Sequence, residues 1–282
     1  MKFGFMAKHR GAWPVAMMCE ALGVSRSGFY AWLDRPRSVR SLSDELLGGQ
    51  VRQSFLLSDR TYGARRVWHD ILALGQQCGL HRIERLMREQ ALRARPRRRG
   101  LPQDRGIRSA IVDNVLHRQF QADAPNQKGV ADFTYIWTAQ GWLYAAAVLD
   151  LYSRRIVGWS MQESMTSQLV ADALMMAVWR RGKPVALLHH SDQGSHEYRR
   201  LAADFGISMS MSRKGNAWDN AAMESFFKTL KVERIYQVRY ETRAQARLDI
   251  VDWIEGYYNR VRMHTSIGFL APVAKERSLL AA

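Results

Sequence analysis

The stretch from Val130 to Asp192 constrains the fold more than any other part of the chain. VADFTYIW (130–137) is β-branched and aromatic, AQG (139–141) carries turn residues, and WLYAAAVLD (142–150) is apolar throughout, which predicts a β-hairpin. IVGWSM (156–161) adds a third strand, and SQLVADALMMAVWRR reads as a helix with one apolar face that ends at Gly182 and Pro184. VALLHHSD is a fourth strand that ends in Asp192. Strand, strand, strand, helix, strand, helix, strand, helix excludes a bundle or a β-sandwich and predicts an α/β sheet covered by helices. Asp132 then lies in the first strand and Asp192 at the end of the fourth.

A third acid, Glu224, falls in NAAMESFFKTLKVE, where Asp219 or Asn220 can cap a helix and place Glu224 near its first turn. Lys228 and Lys231 follow on the same face. Phosphoryl transfer between DNA strands uses metal ions to activate a hydroxyl and stabilise the leaving oxygen, and Mg²⁺ takes oxygen ligands while retaining waters. Convergent carboxylates supply such ligands. Of the 26 Asp and Glu, most are solvated or capping groups, so the local sequence has to identify the functional ones.

The charge balance agrees with a nucleic-acid substrate. The chain carries a formal charge of +16 over 282 residues, and residues 1–110 alone hold 21 Lys and Arg against 9 Asp and Glu. Such an excess calls for a polyanion, because cations that neutralise phosphates release condensed counterions. With 47% hydrophobic residues the chain can bury a core, which excludes disorder as its main state. Cys19 and Cys78 are too few for a disulfide framework and read as buried free thiols. Lys2, Lys8 and Arg10 precede no sustained apolar run, so a cytoplasmic, nucleoid-associated protein is expected.

The basic front reads as helical modules. In VAMMCEALGVSRSGFYAWL (15–33) an apolar helix stops at Gly23 and restarts after Ser25, a helix-turn-helix spacing in which Phe29, Tyr30 and Trp32 would anchor the second helix. Arg26 lies at that helix's N-terminus, where it either meets DNA or simply caps a packed pair. Tyr62–Leu74 and Leu80–Leu92 form a second helical unit, the latter with a solvated face of Arg82, Arg85 and Arg88. Residues 94–110 (ARPRRRGLPQDRGIRSA) read as a linker whose Arg97, Arg98 and Arg99 can track phosphates. The expected division is a helix-turn-helix-like segment at 1–55, a second DNA-binding-like module at 56–93, a basic linker at 94–124 and a core at 125–282 with a C-terminal helical extension.

ADFTYI around Asp132, LDLYSRRIVGW (149–159), HSDQGS around Asp192, SMSRKGNAWDNAAMESFFKTLKVE (210–233) and YYNRVRMHTSIGFLAP (257–272) together resemble the OrfB-type insertion-sequence transposases, relatives of the retroviral integrases. The resemblance covers nearly the whole chain. It implies an RNase H-like, integrase-type catalytic core with a mixed five-stranded sheet and flanking helices, preceded by all-α helix-turn-helix modules. It further implies a DDE triad of Asp132, Asp192 and Glu224 binding two Mg²⁺ or Mn²⁺ ions, nicking at the element's ends, and strand transfer by the freed 3′-hydroxyl. Lys231 and Lys228 match lysines that approach terminal DNA phosphates. The implied partners are the terminal inverted repeats, target DNA, further copies of the chain on DNA, and an upstream-frame DNA-binding protein, separate or fused by frameshifting.

Asp150 reads as a turn cap that pairs with Arg154 or Arg155, and His190 as a residue shaping the strand end. Two features depart from the family pattern. Between Asp192 and Glu224 stand 31 residues, about four fewer than the motif usually leaves, and Gly129 stands where the family commonly has tryptophan. The shortened interval keeps a second expectation open, a catalytically defective remnant that occupies element ends.

Overall fold

The computed structural model describes residues 2–35, 38–95, 122–182, 188–191, 200, 202–211 and 220–280. Its centre is a five-stranded sheet ordered β3-β2-β1-β4-β5, with β1 at Lys128–Thr138, β2 at Gly141–Asp150, β3 at Ile156–Gln162, β4 at Leu188–Ser191 and β5 at Ser208–Met211. β1, β2 and β3 pair antiparallel, whereas β4 joins β1, and β5 joins β4, in parallel. The parallel pairs require long connections, and α7 (Ser167–Arg180) stands in the one between β3 and β4. The mixed five-stranded sheet that the family resemblance implies is therefore present.

Alternation along the strands sorts side chains onto two faces. Val130, Ile136, Ala145, Ala147 and Leu149 share one face with Met223, Phe226, Phe227 and Leu230 of α8 (Ala221–Glu233). Ala131, Ala146, Val148 and Val157 share the other with Leu169, Ala173 and Ala177 of α7. Gly158 permits that second contact: a Cβ there would lie 2.1 Å from the Ala173 carbonyl oxygen and 2.7 Å from the Ala177 nitrogen.

The C-terminal segment closes the α8 face with α9 (Arg243–Asp252) and a π-helical turn at Trp253–Tyr258, and α10 (Pro272–Leu280) ends the chain's described part. Asn259, from the YYNR sequence, binds one backbone position twice, accepting from the Ile156 N–H and donating to the Ile156 carbonyl, both at 2.9 Å. Asp150 does cap its turn, accepting from the N–H and Oγ of Ser153 and from the N–H of Asn126. Of the two arginines expected to pair with it, Arg155 instead binds Glu276 of α10 at 2.7 Å, whereas Arg154 feels the Asp150 charge.

In front of the core lie two helical clusters. α1 (Lys2–His9), α2 (Val15–Leu22) and α3 (Arg26–Leu33) bury Met6, Met18, Cys19 and Phe29. Gly23 ends α2 at φ 59°, a left-handed value that suits glycine, and Ser25 caps α3 by accepting from the Gly28 N–H. Of the three aromatics expected to anchor α3, only Phe29 is buried; Tyr30 is 47% and Trp32 42% exposed, although Trp32 lies one turn from Phe29 and their ring centroids are 6.4 Å apart.

The second cluster joins α4 (Val39–Leu57), α5 (Ala64–Ala73) and α6 (Leu80–Glu89) through Leu47, Val51, Phe55, Val67, Ile71, Ile83 and Leu86. The expected division at residue 55 falls inside α4, whose apolar face packs with α5 and α6. Arg82 and Arg85, expected on a solvated face, instead clamp Asp44 of α4 at 2.7 and 2.6 Å. Cys19 is buried as expected but Cys78 only partly so, and both are free.

This second cluster is docked on the core. The Tyr62 hydroxyl accepts from the Met263 N–H at 2.9 Å and donates to the Val261 carbonyl at 3.2 Å, while Arg95 donates to the Glu233 carbonyl at 2.7 Å. The rings of His69 and Phe269 stack with centroids 3.7 Å apart. Among the described residues no helix is long and apolar enough to cross a membrane.

Candidate active site

β1 and α8 meet beside Asp132. Asn220, the residue before α8, makes no side-chain cap to the helix as the sequence led one to expect. It is fully buried and its Nδ2 donates to the Ala131 carbonyl at 3.2 Å, so the side chain fastens the helix start to the strand. Glu224 follows about one turn later, in the first turn of the helix. Asp132 follows Ala131 directly and has the strand parity of Val130 and Ile136, hence the sheet face that α8 covers. It is half-buried, and its Oδ1 accepts from the Phe133 N–H at 2.8 Å. Glu224 is exposed in the helix's first turn.

Ser191, the last residue of β4, pairs in register with Ala131. Asp192 follows it and lies outside the described residues, as do Arg97, Arg98 and Arg99. Among the described residues no three His, Cys, Asp or Glu side chains gather as a ligand group. β4 and β5 pair in a four-residue parallel register, and α8 is tied to β1 through Asn220. Gly129 is buried in β1, opposite Asp150 and His189.

The two lysines share a helix face but serve different depressions. Lys228 is exposed beside Thr61, Arg66, Arg95 and Ser225, where the second helical cluster meets α8. Lys231 holds its ammonium 4.9 Å from the centre of the Tyr135 ring, next to exposed Trp137 and Trp142. Arg26 is exposed at the start of α3.

Family models match the same architecture. An "Integrase core domain" model matches residues 122–217, a second of the same description matches 205–272, and an "HTH-like domain" model matches 41–100. The chain is 38% identical to the transposase InsF for insertion sequence IS3A of Escherichia coli, over the whole of both chains.

This chain belongs to the IS3-type insertion-sequence transposases.

It is also 40% identical to a 31 kDa protein of insertion element IS600 from Shigella sonnei, over 91% of this chain and 96% of that one. Among solved structures it is similar to the HTLV-2 integrase catalytic core domain in complex with magnesium, with 15% identity and a TM-score of 0.41 over 55% of this chain and 98% of that one. The HTH-like match falls on the second helical cluster, α4 to α6, rather than on the 15–33 pair where the sequence reading placed the helix-turn-helix spacing.

On the C-terminal side of α8 this transposase has polar groups that the sequence reading passed over. Glu233 and Arg262 form a buried bidentate pair, with Nε to Oε2 at 2.7 Å and Nη2 to Oε1 at 2.6 Å. Beside them His264 is pushed down to about 2 by its burial and by the guanidinium charges of Arg262, Arg66 and Arg154. The quoted YYNRVRMHTSIG segment contained both residues, but nothing in its pattern shows that Arg262 turns inward.

The His264 shift fixes a pH dependence. The ring stays neutral in the native state, whereas in the unfolded chain it takes a proton near pH 6.5. Stability is complete above that value and falls with pH below it, by about 1–2 kcal/mol between pH 7 and pH 5. Urea unfolding of wild type and His264→Gln across that range should show this slope only in the wild type; parallel curves would refute the assignment.

Proposed function

We propose that this transposase nicks DNA at the ends of its element and joins the freed 3′-hydroxyl to target DNA, using Asp132, Asp192 and Glu224 as metal ligands. The observation that supports this best is the Asn220–Ala131 hydrogen bond, which seats the turn carrying Glu224 on the strand carrying Asp132. The donor set fits a hard divalent ion, since carboxylate oxygens are what Mg²⁺ and Mn²⁺ take. When bound, two such ions supply Lewis-acid stabilisation of the attacking and leaving oxygens.

The chain's own residues do the rest. Asp132, in a central strand, gives a fixed reference point, and Glu224 projects from a helix start whose dipole favours negative charge nearby. Lys228 and Lys231 hold terminal phosphates, while Arg26, Arg97, Arg98 and Arg99 follow the backbone of the bound duplex. The helical modules in front of the core, α1–α3 and α4–α6, carry DNA, and copies of the chain assemble on the two element ends. An upstream-frame DNA-binding protein, separate or fused, completes end recognition.

The test uses the full chain, a labelled duplex of the element's terminal sequence and a plasmid target, with Mg²⁺, Mn²⁺ or EDTA. Nicked ends and joined products should form with either metal and vanish with EDTA. Tight end binding that yields neither product with either metal would overturn the proposal.

A further inference from the structure

Helix α4 carries a second apolar stripe that its own bundle does not use. Leu47, Val51 and Phe55 turn toward α5 and α6. Val39, Leu42, Leu46 and Leu56 are instead between 47% and 85% exposed, and Gly49 and Gln53 are exposed with them. Their positions, 39, 42, 46, 49, 53 and 56, alternate in steps of three and four, which is the spacing of a coiled-coil seam. At 3.6 residues per turn the six form one line along the helix, about 150° around it from the buried face.

The order of side chains along the line selects what covers it. An antiparallel copy of the same helix sets Val39 against Leu56, Leu42 against Gln53 and Leu46 against Gly49, and a two-fold axis repeats each layer. Gly49 has no atom within 4 Å of where a Cβ would lie, so it offers the hollow that Leu46 of a second copy needs. A parallel copy would set Gly49 against Gly49 and leave a void in the middle of the seam. The antiparallel register also brings exposed Glu45 of one copy beside exposed Arg52 of the other, again twice. Glu45 has an interaction within its own chain as well, and a carboxylate has acceptor sites for a second donor. Large against small and acid against base recur under one symmetry operation, which fits a second copy better than DNA or an unrelated helix.

We propose that α4 is a homodimer interface, in which two copies of this chain pair antiparallel along the Val39–Leu56 stripe. Each helix of 19 residues is about 28 Å long, a short seam that gives a weak and reversible dimer. Gln53 facing Leu42 costs some stability and fixes the register. The proposal supplies the contact for the assembly of copies on two element ends, and only that purpose rests on the strand-transfer reading above. Pairing through α4 joins two HTH-like modules about one two-fold axis, which matches the symmetry of inverted ends.

The test is sedimentation equilibrium of the full chain without DNA or metal, so its failure leaves the strand-transfer reading intact. Wild type should dimerise reversibly at micromolar concentrations. Leu46→Lys places a good helix former at an exposed position and should weaken the dimer by about tenfold or more. Leu248→Lys, at an exposed leucine of α9, should leave it unchanged. Glu45→Arg and Arg52→Glu each set like charges face to face and should each dimerise about tenfold more weakly. An equimolar mixture of those two variants restores both opposite pairs and should form a heterodimer as tight as wild type. A wild type that stays monomeric, a Leu46→Lys chain that dimerises as Leu248→Lys does, or a mixture no tighter than its components overturns the proposal.

Discussion

Glu224→Gln is expected to leave the fold and end binding unchanged while lowering the rate of strand transfer by on the order of 10³-fold, about 4 kcal/mol of transition-state stabilisation. The reasoning follows from where Glu224 sits. It is exposed in the first turn of α8 and contributes nothing to the apolar face that Met223, Phe226, Phe227 and Leu230 bury, so an isosteric amide disturbs no packing. The amide keeps one oxygen but loses the charge, which is what a divalent ion draws on most. Single-turnover joining assays, run beside anisotropy on the same duplex, separate the two effects. A variant that joins at more than a tenth of the wild-type rate would remove Glu224 from the ligand set.

The carboxylate positions were legible in the sequence to unequal degrees. Asp132 could be placed in a strand because the β-branched and aromatic run 130–137 leads into the AQG turn. Glu224 could be placed on a helix, but the bond that seats the helix, from Asn220 to Ala131, joins residues 89 apart and reverses the local capping role that the sequence suggested. Local patterns favour local partners, and a buried amide can equally satisfy a distant carbonyl. Asp192 lies outside the described residues, and Ser191 before it pairs in register with Ala131.

The helical front shows the same division. Gly23 and Ser25 marked the stop and start of adjacent helices correctly because glycine and serine act on their own backbones. α1 escaped notice, since Phe3 and Met6 are one turn apart in too short a segment to show a period. Docking of the second cluster on the core was invisible, for Tyr62 meets Val261 across 199 positions. The boundary expected at residue 55 lies within α4, which continues to Leu57 and packs Phe55 with α5 and α6, and no local breaker signals that continuation.

The buried pair of Glu233 and Arg262 carries the second large effect. Arg262 is 2% exposed and Glu233 7%, and both guanidinium contacts are spent on one carboxylate. Removing one partner leaves a charge in the interior without compensation, which costs about 3–5 kcal/mol, whereas replacing both by apolar groups of similar size is close to neutral. Arg262→Met should therefore lose about that much stability in urea unfolding, and adding Glu233→Leu should recover most of it. The pair also joins α8 to the segment that receives Tyr62, so the single variant should weaken the docking of the second helical cluster, seen as faster amide exchange at Met263. The double variant should restore that protection. A double variant as unstable as Arg262→Met alone would show that the pair contributes through its packed shape rather than through compensated charge.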